Sequence, residues 1–244
     1  SSSLVGSEMC IRDSLNNMNF LKIKNFLLVF LIIFSYLISV VKTYAVDITA
    51  DRTISSSSDG DQYNIKTNND IDVIVTNNST LERNQKIFNV SAASLTGSSI
   101  TIHLGSSVIA ETNSIFSNGA ELTITNTGTI EATNSKAINV SNSDGVSITN
   151  NNNGVIKSNN NTILGDAGTG ADNVTIDNSG EIYTTATGTE SSAIVFANND
   201  TGNTITNNSG GEIYSSGSES TIVLGVSSTL TNSGSIKNNK SVTC

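Results

Sequence analysis

Few side chains in this 244-residue sequence have the chemistry for catalysis. His103 is the only histidine, and a catalytic role would need a base partner held beside its imidazole. The flanking residues supply none, because the alternation points Ile100, Ile102 and Leu104 inward and His103 to solvent. No serine lies beside a histidine, and the protease sequence Gly-Asp-Ser-Gly does not occur. We therefore predict an exposed histidine and no catalytic residue.

Two short stretches combine aspartate with glycine, as calcium-binding loops do. The first is Asp59-Gly60-Asp61, which is more typical of a turn. The second, residues 165–172, is similar to nonapeptide calcium repeats, but one imperfect copy is not the tandem array that those sites require. It is not a phosphate loop either, because no Gly-Lys-Ser/Thr follows. We expect a turn and a loop, no metal site and no cofactor.

The charge of the chain argues against several partners. The net charge is −9, and beyond residue 100 the cations are only Lys136, Lys157, Lys237 and Lys240. Without a basic stripe, nucleic acid and anionic lipid are excluded as expected partners. The many hydroxyl and amide side chains suit an extracellular surface that hydrogen-bonds sugars weakly. The two cysteines, Cys10 and Cys244, predict no internal disulfide in the mature chain.

The elements that position these residues are set by a repeated phrase between residues 122 and 237. The phrase reads Leu-Thr-Ile-Thr-Asn-Thr-Gly-Thr-Ile at 122–130 and returns at 146–156, 174–182, 204–213 and 229–236. The glycine before the second isoleucine lies at Gly128, Gly154, Gly180, Gly210 and Gly234, at spacings of 26, 26, 30 and 24 residues. Self-similarity at such a period indicates a solenoid.

The residues inside one copy indicate which solenoid. Apolar side chains alternate with Thr from Leu122, Asn126 and Gly128 supply a turn, and Ile130 begins a second strand. A third strand recurs at 137–140, 162–164, 193–196 and 221–224. We predict an all-β, right-handed parallel β-helix with Ile, Val and Leu inside and Thr, Ser and Asn outside. Asparagines at equivalent turns of successive coils are expected to form a hydrogen-bonded ladder. Leucine-rich and helical repeats do not fit the pattern.

The sequence before the repeats has three segments. Residues 1–17 are expected to be a non-native leader, because residues 4–14 resemble translated sequencing-adapter sequence; the alternative is a genuine leader. Residues 18–45 read as a signal-peptide helix, with Lys22 and Lys24 before the apolar run 26–41 and cleavage after Ala45. The alternative is an uncleaved anchor, since the run is only slightly shorter than the roughly 17–25 residues that span a bilayer. Residues 46–70 are predicted to be an irregular cap or linker, and 71–244 a β-helix truncated at its C-terminus.

These features together resemble the passenger part of bacterial autotransporters. The resemblance covers the signal peptide and the coils from about Ile71, where phrases such as Ile-Thr-Asn-Thr-Gly at 124–128 and Ile-Asp-Asn-Ser-Gly at 176–180 are typical. It implies export to the cell surface or outer membrane through a C-terminal β-barrel that this chain does not contain. It supplies no catalytic residues, and it implies extracellular glycans or proteins as partners.

Three classes of function remain open. The favoured one is a non-enzymatic, surface-exposed passenger segment with a structural or adhesive role. The alternative is a secreted carbohydrate-active β-helix enzyme, a polysaccharide lyase or hydrolase, which would need clustered carboxylates on one sheet. The third is an ice-binding or other flat-face module: Thr123, Thr125 and Thr175 suggest a threonine row, but Ser147 and Asp177 interrupt it. Irregular coil lengths also argue against a flat face.

Overall fold

The structure is a computed structural model that describes residues 45–66, 70–76, 78–91, 95–119, 121–165 and 170–238. The chain divides into two compact units, 1–42 and 43–244, and all described residues belong to the second unit. The predicted leader and, apart from Ala45, the predicted signal peptide therefore lie outside the described residues. Within the described part of the chain, no helix is long and apolar enough to cross a membrane.

The described residues form three sheets of eight strands each, and every pairing between neighbouring strands is parallel. Sheet A contains β1 (Ala45–Ile48), β4 (Gln62–Ile65), β7 (Phe88–Val90), β10 (Ile115–Ser117), β13 (Ile138–Asn139), β16 (Ile163–Leu164), β19 (Ile194–Val195) and β22 (Ile222–Val223). Sheet B contains β2 (Arg52–Ile54), β5 (Asp72–Val75), β8 (Ser98–Ile102), β11 (Leu122–Asn126), β14 (Ser147–Asn150), β17 (Thr175–Asn178), β20 (Thr204–Asn207) and β23 (Thr229–Asn232). Sheet C contains β3 (Ser58–Asp59), β6 (Thr80–Arg83), β9 (Ser107–Ala110), β12 (Thr129–Ala132), β15 (Val155–Ser158), β18 (Glu181–Thr184), β21 (Glu212–Ser215) and β24 (Ser235–Asn238).

Each coil contributes one strand to each sheet, so the chain is an all-β parallel solenoid, as the sequence predicted. The third strand predicted for each copy is also present, as β13, β16, β19 and β22 in sheet A. Strands of successive coils are hydrogen-bonded neighbours, which are about 4.8 Å apart in parallel sheets.

The solenoid begins earlier than predicted. Residues 46–70, expected to be an irregular cap or linker, contain most of β1 and all of β2, β3 and β4, which pair in register with later strands. Ile48, Ile54 and Ile65 are buried at 3%, 6% and 0% exposure, so the first coil and the start of the second already share the common core. The prediction was wrong because Ser and Asp dominate the outward positions and the turns, while only a few apolar residues mark the inward ones.

The core consists of columns in which the same side chain recurs from coil to coil. Sheet B supplies one such column, of Ile100, Ile124, Ile148, Ile176 and Ile205, and sheet C another, of Ile130, Ile156, Ile182 and Ile213, all fully buried. Burying each isoleucine contributes about 1.5–3 kcal/mol. Leu104, which was predicted to point inward, is instead 63% exposed. Strand β8 ends at Ile102 and a turn follows with Gly105 at a φ of 80°, so the alternation no longer applies.

Beside the apolar columns, the core contains a buried polar column of asparagines. Asn126, Asn150, Asn178 and Asn207 occupy the last inward position of their sheet B strands and are fully buried. The side-chain Nδ2 of each donates to Oδ1 of the next at 2.8 Å, and the series ends on Asn232. The predicted asparagine ladder is therefore confirmed. The prediction that asparagine lies outside was wrong for these residues, because the alternation Leu122, Ile124, Asn126 places Asn126 inward.

The ladder also binds the turn between sheets B and C. Nδ2 of Asn178 donates to the carbonyl oxygens of Gly180 at 3.1 Å and Glu212 at 3.3 Å, so it satisfies buried backbone groups of its own coil and of the next. Gly180 has no room for a side chain, since a Cβ would lie 2.2 Å from the carbonyl oxygen of Gly154.

In the fourth copy, the glycine that stacks on the marker glycines of the other copies is Gly211. The assignment of Gly210 as the marker of this copy was wrong. A Cβ on Gly211 would lie 2.5 Å from the carbonyl oxygen of Asn178, whereas Gly210 has nothing within 4 Å and a φ of 88°. The turn of this copy is longer than that of the preceding one, and Gly210 supplies its left-handed residue, as Asn153 does in the second copy with a φ of 67°. The extra residues project at the corner and leave the strands in register.

Replacing Asn178 with Asp is expected to be strongly destabilising. The substituted side chain would be a buried carboxylate facing Oδ1 of Asn207 and the carbonyl oxygens of Gly180 and Glu212, where the amide now donates. We expect a loss of about 3 kcal/mol or more in the free energy of unfolding, and a smaller loss for Asn178→Ala, which removes the amide without adding a charge. Urea denaturation followed by circular dichroism measures both.

The matched control is Asn152→Asp, in the exposed part of an equivalent turn. It is expected to change the stability by less than about 0.5 kcal/mol. Equal losses for Asn178→Asp and Asn152→Asp would contradict the role assigned to the ladder.

Candidate binding faces

The outer side of sheet B carries two parallel columns of small hydroxyl side chains. They occupy the outward positions of β8, β11, β14, β17, β20 and β23, and the strand registers align them from coil to coil. The first column is Ser99, Thr123, Ser147, Thr175, Thr204 and Thr229, and the second is Thr101, Thr125, Thr149, Asp177, Thr206 and Thr231. We call these twelve positions the hydroxyl face.

The hydroxyl face stays continuous although the coils differ in length. The length differences lie in the corner turns, such as residues 151–153, and in the connection between β18 and β19. The irregular coil lengths, which were expected to disfavour a flat face, therefore leave the strands of sheet B in register. The interruption at Asp177 is real, and there the carboxylate accepts a hydrogen bond from the Asn208 side chain of the next coil.

The outer side of sheet C carries larger and charged side chains. One column contains Glu131, Lys157, Tyr183, Tyr214 and Lys237, each directly opposite the next across the paired strands. Lys157 Nζ lies 2.9 Å from Glu131 Oε2, and the rings of Tyr183 and Tyr214 stack with centroids 4.5 Å apart and planes 7° apart. We call this series the mixed column.

A neighbouring column places Glu181 beside Glu212 on adjacent strands. Two carboxylates in register repel one another. Each has a partner that offsets the repulsion: the Tyr214 hydroxyl donates to Glu181 Oε2 at 3.5 Å, and Lys237 Nζ lies 3.7 Å from Glu212 Oε1.

The surroundings raise the pKa values of two members of the mixed column, Lys157 and Tyr214. The hydrogen bond that Lys157 donates to the Glu131 carboxylate, aided by the negative charge of Glu131, raises the pKa of Lys157 above the usual 10.5. Burial, with the nearby Tyr183 and Glu181, raises the pKa of Tyr214. At neutral pH Lys157 is therefore a cation and Tyr214 a neutral phenol. Neither is poised to accept a proton from a substrate, and both are suited to hydrogen bonding.

A groove of about 350 Å³ opens on sheet C where the mixed column changes from charged to aromatic. Its walls come from three successive coils: Glu131, Ala132, Thr133, Lys157, Ser158, Asn159, Tyr183 and Thr185. Thr133, Asn159 and Thr185 follow β12, β15 and β18, and their backbone N–H groups donate to carbonyl oxygens of the preceding coil. The pairing of the coils therefore holds the floor of the groove in place.

The predicted site residues lie elsewhere. His103 is exposed, as predicted, and its Nδ1 lies 3.2 Å from the Thr76 hydroxyl oxygen. Gly60 adopts a left-handed φ of 90° and its N–H donates to the Glu82 carbonyl, which fits the turn predicted for Asp59-Gly60-Asp61.

In the stretch 165–172, residues 166–169 lie outside the described residues. The Asp172 carboxylate accepts hydrogen bonds from the Thr201 backbone N–H at 2.7 Å and from its hydroxyl at 3.0 Å, so it links two coils. Among the described residues, no three His, Cys, Asp or Glu side chains gather in a way that could hold a metal ion.

The mixed column was not predicted, although the repeated phrase contains the signal for it. Each of its later members directly follows the second isoleucine of a copy, as Glu131 follows Ile130 and Lys157 follows Ile156. Aligning that position across the copies would have placed Glu, Lys, Tyr, Tyr and Lys in one line.

The chain matches no protein-family model, no curated protein and no solved structure. The fold and the surface chemistry therefore carry the functional argument.

The Lys157–Glu131 pair is expected to stabilise the protein only below alkaline pH. Because the pKa of Lys157 is raised on folding, its contribution is fully present below pH 10.5 and is lost as the pH rises through the folded value. Lys157→Met should lower the unfolding free energy by roughly 0.5–1 kcal/mol at pH 8, and the difference should shrink above pH 10.5.

Urea midpoints measured across this pH range test the prediction. Lys237→Met is the control, because Lys237 is more exposed and its ion pair is longer, at 3.7 Å. We expect a smaller effect for it. If the loss of unfolding free energy in Lys157→Met stays constant up to pH 11, the role given to the charge of Lys157 is contradicted.

Proposed function

We propose that this chain is a non-enzymatic, surface-exposed passenger segment of an autotransporter-like protein, with a structural or adhesive role. The observation that carries the proposal is the in-register stack of parallel coils, which holds a continuous face of small hydroxyl side chains on sheet B. Such a rod displays hydroxyl side chains along its length, while the turns between strands can differ in length and sequence. Residues 18–45 would export it, and 46–244 would form the mature segment.

The surface chemistry supports extracellular glycans or proteins as partners. Hydroxyl and amide side chains donate and accept hydrogen bonds without a net charge, so they can bind the hydroxyl groups of sugars. The net charge of −9 disfavours nucleic acid. In the mixed column, the ion pairs and raised pKa values support binding in place of acid–base chemistry.

The proposal is tested by producing the full chain in a diderm bacterial host. We expect recovery outside the cytoplasm with an N-terminus at Val46, as determined by mass spectrometry. The mature protein should bind immobilised extracellular glycans or host-surface proteins while releasing no reducing ends or unsaturated products from soluble polysaccharides. Retention in the cytoplasm with residues 18–45 intact would contradict export. Release of sugar products would instead establish the carbohydrate-active enzyme.

The hydroxyl face favours a second candidate, a flat-face module that binds ice. Its two columns repeat at about 4.8 Å between coils, with roughly 6.6 Å between the two positions of a strand, so they form a regular two-dimensional array. Regularly placed hydroxyl groups can hold water in an ordered layer. The register, unbroken from β8 to β23, supports this candidate, while Asp177 disfavours it.

This candidate predicts that the full chain slows recrystallisation of ice in a frozen sucrose solution. Thr149→Lys, in the middle of the hydroxyl face, should abolish the effect because the long charged side chain prevents flat contact. Thr129→Lys, an equivalent substitution on sheet C, should leave it unchanged. No slowing by the parent chain would rule out ice binding, and equal slowing by both variants would rule out the hydroxyl face as the ice-binding surface. Either result leaves the passenger proposal standing.

A further inference from the structure

The groove on sheet C has the three features of a sugar-binding site: an aromatic ring, paired hydrogen-bonding groups and a preformed floor. We propose that it binds one neutral sugar unit of an extracellular glycan. The inference rests on the proposed adhesive function and assigns a ligand class to one place on the rod. Glu131, Lys157 and Tyr183 of the mixed column, with the corner residues that follow β12, β15 and β18, would make the contacts.

The aromatic wall is the ring of Tyr183. Strands β12 and β15 lie on one side of β18 and β21 on the other, so the groove and Tyr214 lie on opposite sides of this ring. The stack with Tyr214, at 4.5 Å and 7°, fixes the ring plane before any ligand binds. The C–H face of a sugar ring is apolar and can pack on such a ring, which provides large contact area at little entropic cost.

The polar walls offer both donors and acceptors. Lys157 Nζ has three N–H groups and uses one direction for Glu131 at 2.9 Å, and the Glu131 carboxylate keeps further acceptor positions. The exposed side chains of Thr133, Asn159 and Thr185 add hydroxyl and amide groups at the rim. Adjacent sugar hydroxyls, each a donor and an acceptor, match this arrangement.

The charge balance selects a neutral sugar. Lys157 is the only cation that lines the groove, and Glu131, its partner, compensates its charge. The neighbouring strands β18 and β21 add the carboxylates of Glu181 and Glu212 to the same outer side of sheet C. An acidic sugar would find no unpaired cation here and would be repelled by those carboxylates.

The size of the groove fits a single unit of a longer glycan. A volume of about 350 Å³ is at the lower end of the range for small-molecule sites. Because the groove is open, the rest of the glycan can extend along the protein surface in either direction from the bound unit. The site is therefore suited to weak binding that gains strength when many copies of the rod contact one glycan-coated surface.

The test uses the full chain and isothermal titration calorimetry with defined probes: cellotetraose, mannotetraose and galactotetraose as neutral sugars, and tetragalacturonate as an acidic one. At least one neutral probe should bind more tightly than tetragalacturonate. Tyr183→Ala should weaken binding by about tenfold or more, and Tyr183→Phe, which keeps the ring, should stay within about twofold.

A second variant removes the risk that Tyr183→Ala merely loosens the coil. Asn159→Lys places a long side chain at the exposed rim without touching the tyrosine stack, and it should block binding to a similar degree. Lys237→Gln, in the same column but outside the groove, is the matched control and should bind as the parent does.

The outcomes separate this inference from the proposed function. No binding of any neutral probe, tighter binding of tetragalacturonate, or unchanged binding by both Tyr183→Ala and Asn159→Lys would overturn the groove as a neutral-sugar site. Attachment of the full chain to glycan-coated surfaces would then still support the adhesive role. Cleavage of a bound neutral probe would overturn the non-enzymatic function while leaving the groove as a sugar site.

Discussion

The structure depends on one constraint, the in-register parallel pairing of successive coils. Because each strand pairs with the equivalent strand of the next coil, every side chain has its counterparts directly above and below it. A column is stable when each side chain tolerates its own kind as a neighbour. Isoleucine does so by packing, threonine by exposing a small hydroxyl, and tyrosine by stacking, as Tyr183 and Tyr214 do. Like charges tolerate it least: Lys157 pairs with Glu131 in the mixed column, whereas Glu181 and Glu212, which are in register, each interact with a separate partner.

Asparagine is the polar side chain that meets this constraint inside the core. Its amide carries a donor and an acceptor, so a column of identical amides is self-complementary, whereas a column of carboxylates would not be. In the first coils the same inward position is apolar, with Ile54, Val75 and Ile102. From Asn126 onward, the amides also satisfy buried carbonyl oxygens at the turn. A slip by one residue would expose the ladder and the isoleucines together, so the amides help to specify the register.

The sequence was informative where side-chain period and turn chemistry agree. The three strands per copy, the parallel stack and the amide ladder follow from alternation and from the recurring Asn and Gly. It was less informative where few residues carry the signal. In the first coil the inward residues are sparse among Ser and Asp, and at Leu104 the strand ends before the apolar residue. Gly210 and Gly211 differ only in backbone conformation and in room for a Cβ, which single-residue patterns do not encode. The groove depends on three coils at once and needs the register before it can be located.

The same constraint explains why the groove lies on sheet C and not on sheet B. Columns of small, similar side chains, such as those of the hydroxyl face, stack evenly and leave a flat surface. A depression forms where adjacent members of a column differ in size and direction. In the mixed column, Lys157 pairs with Glu131 of the preceding coil while Tyr183 stacks on Tyr214 of the following coil, so these two neighbours interact with opposite sides of the column. The groove is lined by both side chains and by the corner residues beside them, while the isoleucines beneath remain stacked and fully buried. In a solenoid of this kind, the order of side chains along one outer column can therefore shape the surface, while the inner columns preserve the fold.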